Sequence, residues 1–398
     1  MMRGITLDAR VAPFKALHEE SATHPNPFLY PQAANIRGMS IVSRTTLAGR
    51  FPVGPSCLRV LLLMSFSVAS IAAAGGQAPT PRPTIVVDTD AGADDLMAIA
   101  FLLSRADVHI EAITLDDGLA HPGAGARNVL RLLALAGRDE IPVYLGRQTP
   151  LAGDTQFPAA WRKAADDLPG VNIPPPRRMP ETESAAQFLE RRLSDRRHPA
   201  RVLALGPLTN IAEALEAVPE NRRTPIEITI MGGALRVRGN LGDGESFQTD
   251  NSTAEWNFFV DPVAAEEVLQ AGAQPGTKIL LIPLDATNQV PIDEAFLRRF
   301  TNGARTNLAK AVAQILGTER DLIVQGVYSA WDPLAAAALV DPAIVRTTCV
   351  NILVRTQPPE TGRTIKVAGG RPNACVALNA DRERFYRIFL NTLEPSTK

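Results

Sequence analysis

The sequence predicts an α/β fold: a single domain on a mostly parallel, Rossmann-like sheet with helices on both faces. Three observations predict it. From Thr84 onward, short apolar runs alternate with segments of helical period. The first run, 84–88 (TIVVD), is too short for a core helix and apolar at Ile85-Val86-Val87, as suits a strand buried between two helical layers. The composition, 45% hydrophobic and 5% aromatic with a net charge of −1 over 398 residues, suits a soluble α/β chain with a sizeable core.

The elements follow in order. After strand 84–88, apolar spacing predicts a helix over 94–104, a strand over 109–115, a helix over 124–136 and a strand over 141–145. A helix over 183–194 precedes strands at 202–205 and 226–231, with a helix over 210–217 between them. Next come a helix over 262–269, a strand over 278–282, and helices over 293–299, 307–317 and 332–340. Strands at 351–356 and 363–367 and a closing helix over 380–393 complete the pattern. In open sheets of this kind ligands bind outside the carboxyl ends of the strands. The residues just after each strand are therefore the first candidates for chemistry.

The charge balance excludes a strongly basic nucleic-acid binder, and none is expected as a partner. The densest basic stretch, 191–201 (RRLSDRRHPAR), closes a predicted helix, where cations suit the dipole. Three cysteines, Cys57, Cys349 and Cys375, have no metal-ligand spacing. Residues 1–56 carry no sustained period and read as an extension outside the fold, with translation expected to start at Met39. Residues 57–76 read as a signal peptide: Arg59, an apolar run, then the small-residue exit Ala72-Ala73-Ala74. The alternative is an uncleaved membrane anchor over 58–74. Residues 77–83 form a Pro-rich linker, and 84–398 the folded domain. The expected location is periplasmic or secreted, where a Cys349–Cys375 disulfide is permitted.

The most informative stretch follows the first strand: Asp88-Thr89-Asp90-Ala91-Gly92-Ala93-Asp94-Asp95. Four carboxylates within eight residues repel unless something positive compensates. A helix N-terminus contributes only up to ~1 kcal/mol. Capping accounts for one or two of these acids but not for four. Oxygen ligands without nearby His or Cys point to a hard divalent cation, calcium or magnesium, rather than zinc. An Asp-x-Asp after an apolar strand also opens the haloacid-dehalogenase-like phosphatases, although the second pair, Asp94 and Asp95, is foreign to that pattern.

The stretch resembles the D-x-D-x-G-x-D-D signature of the inosine–uridine-preferring nucleoside hydrolases. Further matches occur in order: Gly206-Pro207-Leu208-Thr209-Asn210-Ile211-Ala212, Met231-Gly232-Gly233, Ala254-Glu255-Trp256-Asn257 with Asp261-Pro262, and Trp331-Asp332-Pro333. The resemblance spans nearly all of 84–393. It implies calcium-dependent hydrolysis of ribonucleosides to ribose and free base, with a small-molecule nucleoside as substrate and a homodimer or homotetramer as the assembly. It implies that Asp90, Asp95, Asp332 and the Leu205 carbonyl bind calcium, and that Asp90 is the general base that activates the attacking water. It implies further that Asp94 contacts the ribose 2′-hydroxyl region and that Glu255 and Asn257 grip its other hydroxyls. Trp256 lies between those two, Asn240 assists, and Asp88 supports the acidic cluster.

Two departures bear on the base. Where many members have Gly-Asn after the second strand, this chain has Asp116-Asp117-Gly118-Leu119. Where many have a histidine before the late Asp-Pro, it has Trp331. Both resemble the purine-preferring subgroup, which assigns Asp117 to a base or ribose contact and Trp331 to stacking on the purine. Core packing is the alternative for Trp331. Trp161, in the breaker-rich stretch 153–180, is either a second stacking wall on a lid or a surface aromatic. The competing functions are an exported nucleoside-binding protein without turnover and the phosphatase.

Overall fold

A computed structural model describes residues 83–242 and 247–394. The extension, the signal segment and the linker up to residue 82 lie outside the described residues. Nine strands form one sheet: β1 (Thr84–Thr89), β2 (His109–Leu115), β3 (Val143–Leu145), β4 (Ala200–Ala204), β5 (Ile226–Met231), β6 (Thr277–Ile282), β7 (Val345–Val354), β8 (Thr364–Val367) and β9 (Ala374–Ala380). Their order is β3-β2-β1-β4-β5-β6-β9-β7-β8. β3 through β9 run parallel, whereas β7 is antiparallel to both β9 and β8. The predicted α/β class and mostly parallel sheet are what the structure has.

Alternation along β1 explains the two core layers. Ile85 and Val87 face one layer, with helices Ala93–Leu103, Asn307–Thr318, Trp331–Val340 and Arg382–Leu393. Val86 faces the other, with helices Ala185–Ser194, Thr209–Ala217 and Pro262–Ala271. The strand order reverses between β1 and β4, so the connections leaving these two strands diverge and open a crevice at their carboxyl ends. The acidic loop leaves β1 there, and Leu205-Gly206 leaves β4 beside it.

The main departure from the predicted elements is β9, a central strand between β6 and β7. The sequence reading places no element at 374–379 and starts the closing helix at residue 380. That helix begins later, at Arg382, capped by Asp381 accepting from the Arg384 amide. β7 also starts earlier than expected, at Val345, because it pairs along most of β9. Cys349 and Cys375 face each other across that pair and form a disulfide. Within the breaker-rich stretch a helix, Ala159–Asp167, forms, and its Arg162 pairs with Asp117 just after β2. No helix among the described residues is long and apolar enough to cross a membrane.

Candidate active site

The loop after β1 turns sharply. Ala91 adopts φ 56°, a left-handed conformation costing about 1 kcal/mol for a residue with a Cβ. The turn brings Asp90 beside the first turn of helix Ala93–Leu103, which holds Asp94 and Asp95. Asp95 reaches back: its carboxylate accepts from the Gly92 amide at 3.0 Å and from the Thr89 hydroxyl. Asp95 therefore caps the helix, yet capping does not exhaust the cluster.

Asp332, in the first turn of helix Trp331–Val340, arrives from the far end of the chain. Asp94, Asp95 and Asp332 each offer an oxygen within 4.8 Å of the others. Asp332 Oδ1 is buried without a hydrogen-bond partner. Burial first, and then the neighbouring carboxylates, push Asp95 and Asp332 well above the usual carboxylate range. The same causes raise Asp94 to about 7. Asp90 is raised by burial, against hydrogen bonds from the Leu119 amide and Asp95. Buried carboxylates that raise one another are unstable as anions until a cation joins them. An all-oxygen set with an orphaned carboxylate oxygen fits a hard divalent ion, so this group could hold a metal. Asp90 stands next to the tight trio through Asp95 rather than within it, whereas Asp94 belongs to it.

Two glycines make room for Asp90. A Cβ at Gly118 would lie 2.2 Å from Asp90 Oδ2, and one at Gly206 would lie 2.9 Å from its backbone nitrogen. The Leu119 amide donates to Asp90 Oδ2 at 2.7 Å. The loops after β2 and β4 thus clamp the side chain.

Behind it lies a residue the sequence reading did not single out. Asp116 is fully buried near Asp88, and its Oδ1 accepts from the Asn210 backbone amide at 3.1 Å. Asp88 accepts from the Thr114 hydroxyl and from Asn210 Nδ2 at 3.0 Å. Burial, followed by the Asp88 charge, raises Asp116 well above its ordinary value. The doublet Asp116-Asp117 was the available signal.

The remaining candidates have protein partners of their own. Glu255 caps helix Trp256–Val260, accepting from the Gly233 and Asn257 amides at 2.9 Å each and from Phe258 at 3.3 Å. Its carboxyl is nevertheless raised to about 7, chiefly by burial. Asn257 Nδ2 donates to the Leu205 carbonyl at 2.7 Å and to the Met231 carbonyl at 3.3 Å. Asn240 Oδ1 accepts from the Trp256 amide at 3.2 Å. Trp256 is buried among Phe157, Trp161, Phe247 and Phe259. Asp117 is paired with Arg162 from helix Ala159–Asp167, both groups buried. Trp331 is half-buried against Tyr328, with ring centroids 4.8 Å apart. The acids of the first loop, Asp332, Leu205, Glu255 and Asn257 therefore meet at one end of the sheet, while Asn240 and Trp256 line the adjoining wall.

Comparison with known proteins decides the family. The model of the inosine-uridine preferring nucleoside hydrolases matches residues 85–387. The chain belongs to this family. It is therefore a hydrolase acting on nucleosides, an assignment that leaves the phosphatase without support. Among similar proteins, the pyrimidine-specific ribonucleoside hydrolase RihA of Citrobacter koseri is 32% identical over 319 residues, covering 78% of this chain and 97% of that protein. RihA of Klebsiella pneumoniae is 31% identical, covering 78% and 97%. A purine-preferring ribonucleoside hydrolase from Gardnerella vaginalis superposes with TM-score 0.68 at 28% identity, covering 78% and 98%. An inosine-uridine preferring nucleoside hydrolase from Bacillus anthracis gives TM-score 0.66 at 26% identity, covering 78% and 99%. Relatives of this nucleoside hydrolase thus include both pyrimidine-specific and purine-preferring enzymes.

Proposed function

We propose that this nucleoside hydrolase is calcium-dependent and purine-preferring, and that it releases ribose and the free base outside the cytoplasm. The observation that carries the reading is the convergence of Asp94, Asp95 and the partnerless Asp332 oxygen beside Asp90 at the switch point of the sheet. Asp90, Asp95, Asp332 and the Leu205 carbonyl are the proposed holders of the ion, with Asp94 adjoining. When bound, calcium lowers the pKa of a coordinated water and orients it.

Asp90 then takes the proton of the attacking water. Its Oδ2 is aimed by the Leu119 amide, and the glycines on either side leave it one position. Asn257 orients the Leu205 carbonyl by donating to it, a supporting role for an outer residue. Asp94 and Glu255 face the ribose. As the N-glycosidic bond breaks, the sugar acquires oxocarbenium character, and surrounding carboxylates stabilise that charge more than they stabilise neutral substrate. Asp88, beside Asp116, supports the strand end. In this reading Asn240 and Trp256 shape the wall beside the sugar.

Purine preference is supported by Trp331, the residue directly before Asp332. Asp117 supports it less directly, because Arg162 occupies its carboxylate. The pyrimidine reading has the printed specificity of the two RihA relatives behind it. Export is supported by the apolar run 58–74 and by the Cys349–Cys375 disulfide, which suits an oxidising compartment. Mass spectrometry of the mature N-terminus tests it.

One experiment separates the alternatives. The protein is incubated with inosine, adenosine, guanosine, uridine and a phosphate ester, with and without chelator. Chelator-sensitive release of ribose and free base, faster from the purines, is the expected result. Intact nucleoside retained on the protein would favour a binding protein, and faster release from uridine would reverse the assigned preference.

A further inference from the structure

Helix Ala159–Asp167 grips the loop after β2 at both ends. Arg162 pairs through Nη2 with Asp117 at the start of the loop, both groups buried. One helical turn further on, Asp166 holds His121 at the end of the loop. Its Oδ1 accepts from the His121 backbone amide at 2.9 Å, and its Oδ2 lies 2.7 Å from the ring Nδ1. Residues four apart share a helix face, and Asp117 and His121 are separated by the same four positions. Between them, Leu119 packs on the aromatic cluster around Trp256, as does Trp161 of the same helix. The helix is fixed in turn by helix Pro122–Ala136: Asn128 Nδ2 donates to the Ala165 carbonyl at 3.0 Å, and Arg127 Nη2 to the Asp166 carbonyl at 3.1 Å.

The loop so held is the cradle of Asp90. The Leu119 amide donates to Asp90 Oδ2 at 2.7 Å, and the Ala120 amide to the Asp90 carbonyl at 3.0 Å. Residues 117–121 belong to no helix or strand, so no ladder of backbone hydrogen bonds fixes these amides. We propose that Arg162 and Asp166 are positioning residues for the hydrolysis. By fastening Asp117 and His121 they fix the Leu119 amide, and through it the Asp90 carboxylate. The inference rests on the reading of Asp90 as general base, but not on purine preference. It gives the Asp117 carboxylate a task apart from the substrate's base. A base that must meet the proton of one water tolerates little drift, since misplacement by about 1 Å costs about a hundredfold.

The test centres on Asp166→Ala. The pair it breaks is partly exposed, His121 at 57% and Asp166 at 20%, so the variant leaves no buried charge behind. Steady-state kinetics are measured on inosine and uridine in saturating calcium, with circular dichroism to confirm folding. The expected result is a fall in kcat of about tenfold on both substrates, with KM within about threefold of wild type. Asp166→Asn keeps an oxygen for the His121 amide and should recover most of the loss. Combined with Gly118→Ala, which disturbs the same carboxylate directly, Asp166→Ala should add little: about a hundredfold in total rather than about a thousandfold, because the two act as a unit. Arg162→Gln should act in the same direction as Asp166→Ala; where it fails to fold, Asp166→Ala decides. Lys163→Ala is the control, because it breaks the exposed Lys163–Asp167 pair of the same helix without touching the loop, and kcat should not change. A wild-type kcat in Asp166→Ala, a loss carried by KM, no recovery in Asp166→Asn, a multiplicative double variant or an equal loss in Lys163→Ala would each overturn the proposal. A wild type inert towards nucleosides, or an active Asp90→Asn, would instead overturn the reading of Asp90 on which it rests.

Discussion

Gly118→Ala tests how strictly the structure constrains Asp90. A Cβ at this position would lie 2.2 Å from Asp90 Oδ2, 2.6 Å from its Cβ and 2.7 Å from its Cγ, where ordinary contact begins at 3.4 Å. Asp90 has nowhere to retreat: it is 3% exposed, and the Gly206 loop closes its other side. The carboxylate must therefore shift by about 1 Å, and misplacement on that scale costs about a hundredfold in rate. Overpacking itself costs about 1–3 kcal/mol, which a domain of this size can absorb. Gly123→Ala is the control. It sits in helix Pro122–Ala136 with nothing within 4 Å of its new methyl, so turnover should be unchanged and stability should rise by up to about 1 kcal/mol. The assay is ribose release from inosine under saturating calcium, with circular dichroism to confirm folding. A Gly118→Ala protein that turns over at the wild-type rate would refute the claim that Asp90 must occupy this one position.

The remaining predictions concern charge and covalent links. Asp332→Asn should lower the melting temperature in calcium, yet raise it by about 2–4 °C in chelator for each kcal/mol of repulsion relieved, because it removes one of several mutually opposed buried charges. A differential scan in both buffers checks the sign reversal, and a drop in both would refute it. Glu255, raised from 4.5 to about 7, binds its proton more tightly folded than unfolded. Its contribution is therefore full below pH ~4.5 and lost as pH rises through ~7, about 3 kcal/mol in metal-free protein. Urea unfolding at pH 5 and pH 8 should show a smaller pH dependence in Glu255→Gln than in wild type; equal slopes would contradict the assigned shift. Replacing Cys349 and Cys375 with serine opens a loop of 26 residues and should cost about 3 kcal/mol, read from the denaturation midpoint, with inosine turnover unchanged at 25 °C.

Much of this was legible in the sequence, for identifiable reasons. Four acids after an apolar strand exceed what helix capping explains, so the loop 88–95 declared itself. β6 carries the apolar run 279–282, and β5 sets Ile226, Ile228 and Ile230 in strand alternation with Glu227 and Thr229. β9 was not legible: Ala374-Cys375-Val376-Ala377-Leu378-Asn379-Ala380 follows a Gly-Gly-Arg-Pro-Asn stretch, and alanine and asparagine favour strands weakly. Its pairing with β6 and β7 overrides that preference. The Asp117–Arg162 pair joins residues 45 apart, with no local pattern to announce it. The family resemblance assigns Glu255 to a ribose hydroxyl; its part in capping helix Trp256–Val260 was not foreseen, because the common caps are serine, threonine, aspartate and asparagine. Three backbone amides reaching its carboxylate become visible only once Gly233 is folded beside it.

The most direct test is a calcium titration of chelator-stripped protein, with ribose release from inosine followed alongside heat of binding. One ion should bind per chain, and turnover, absent at the start, should rise in step with occupancy. Full turnover in chelator, with no divalent metal found by elemental analysis, would mean that the gathered aspartates do not work through a cation.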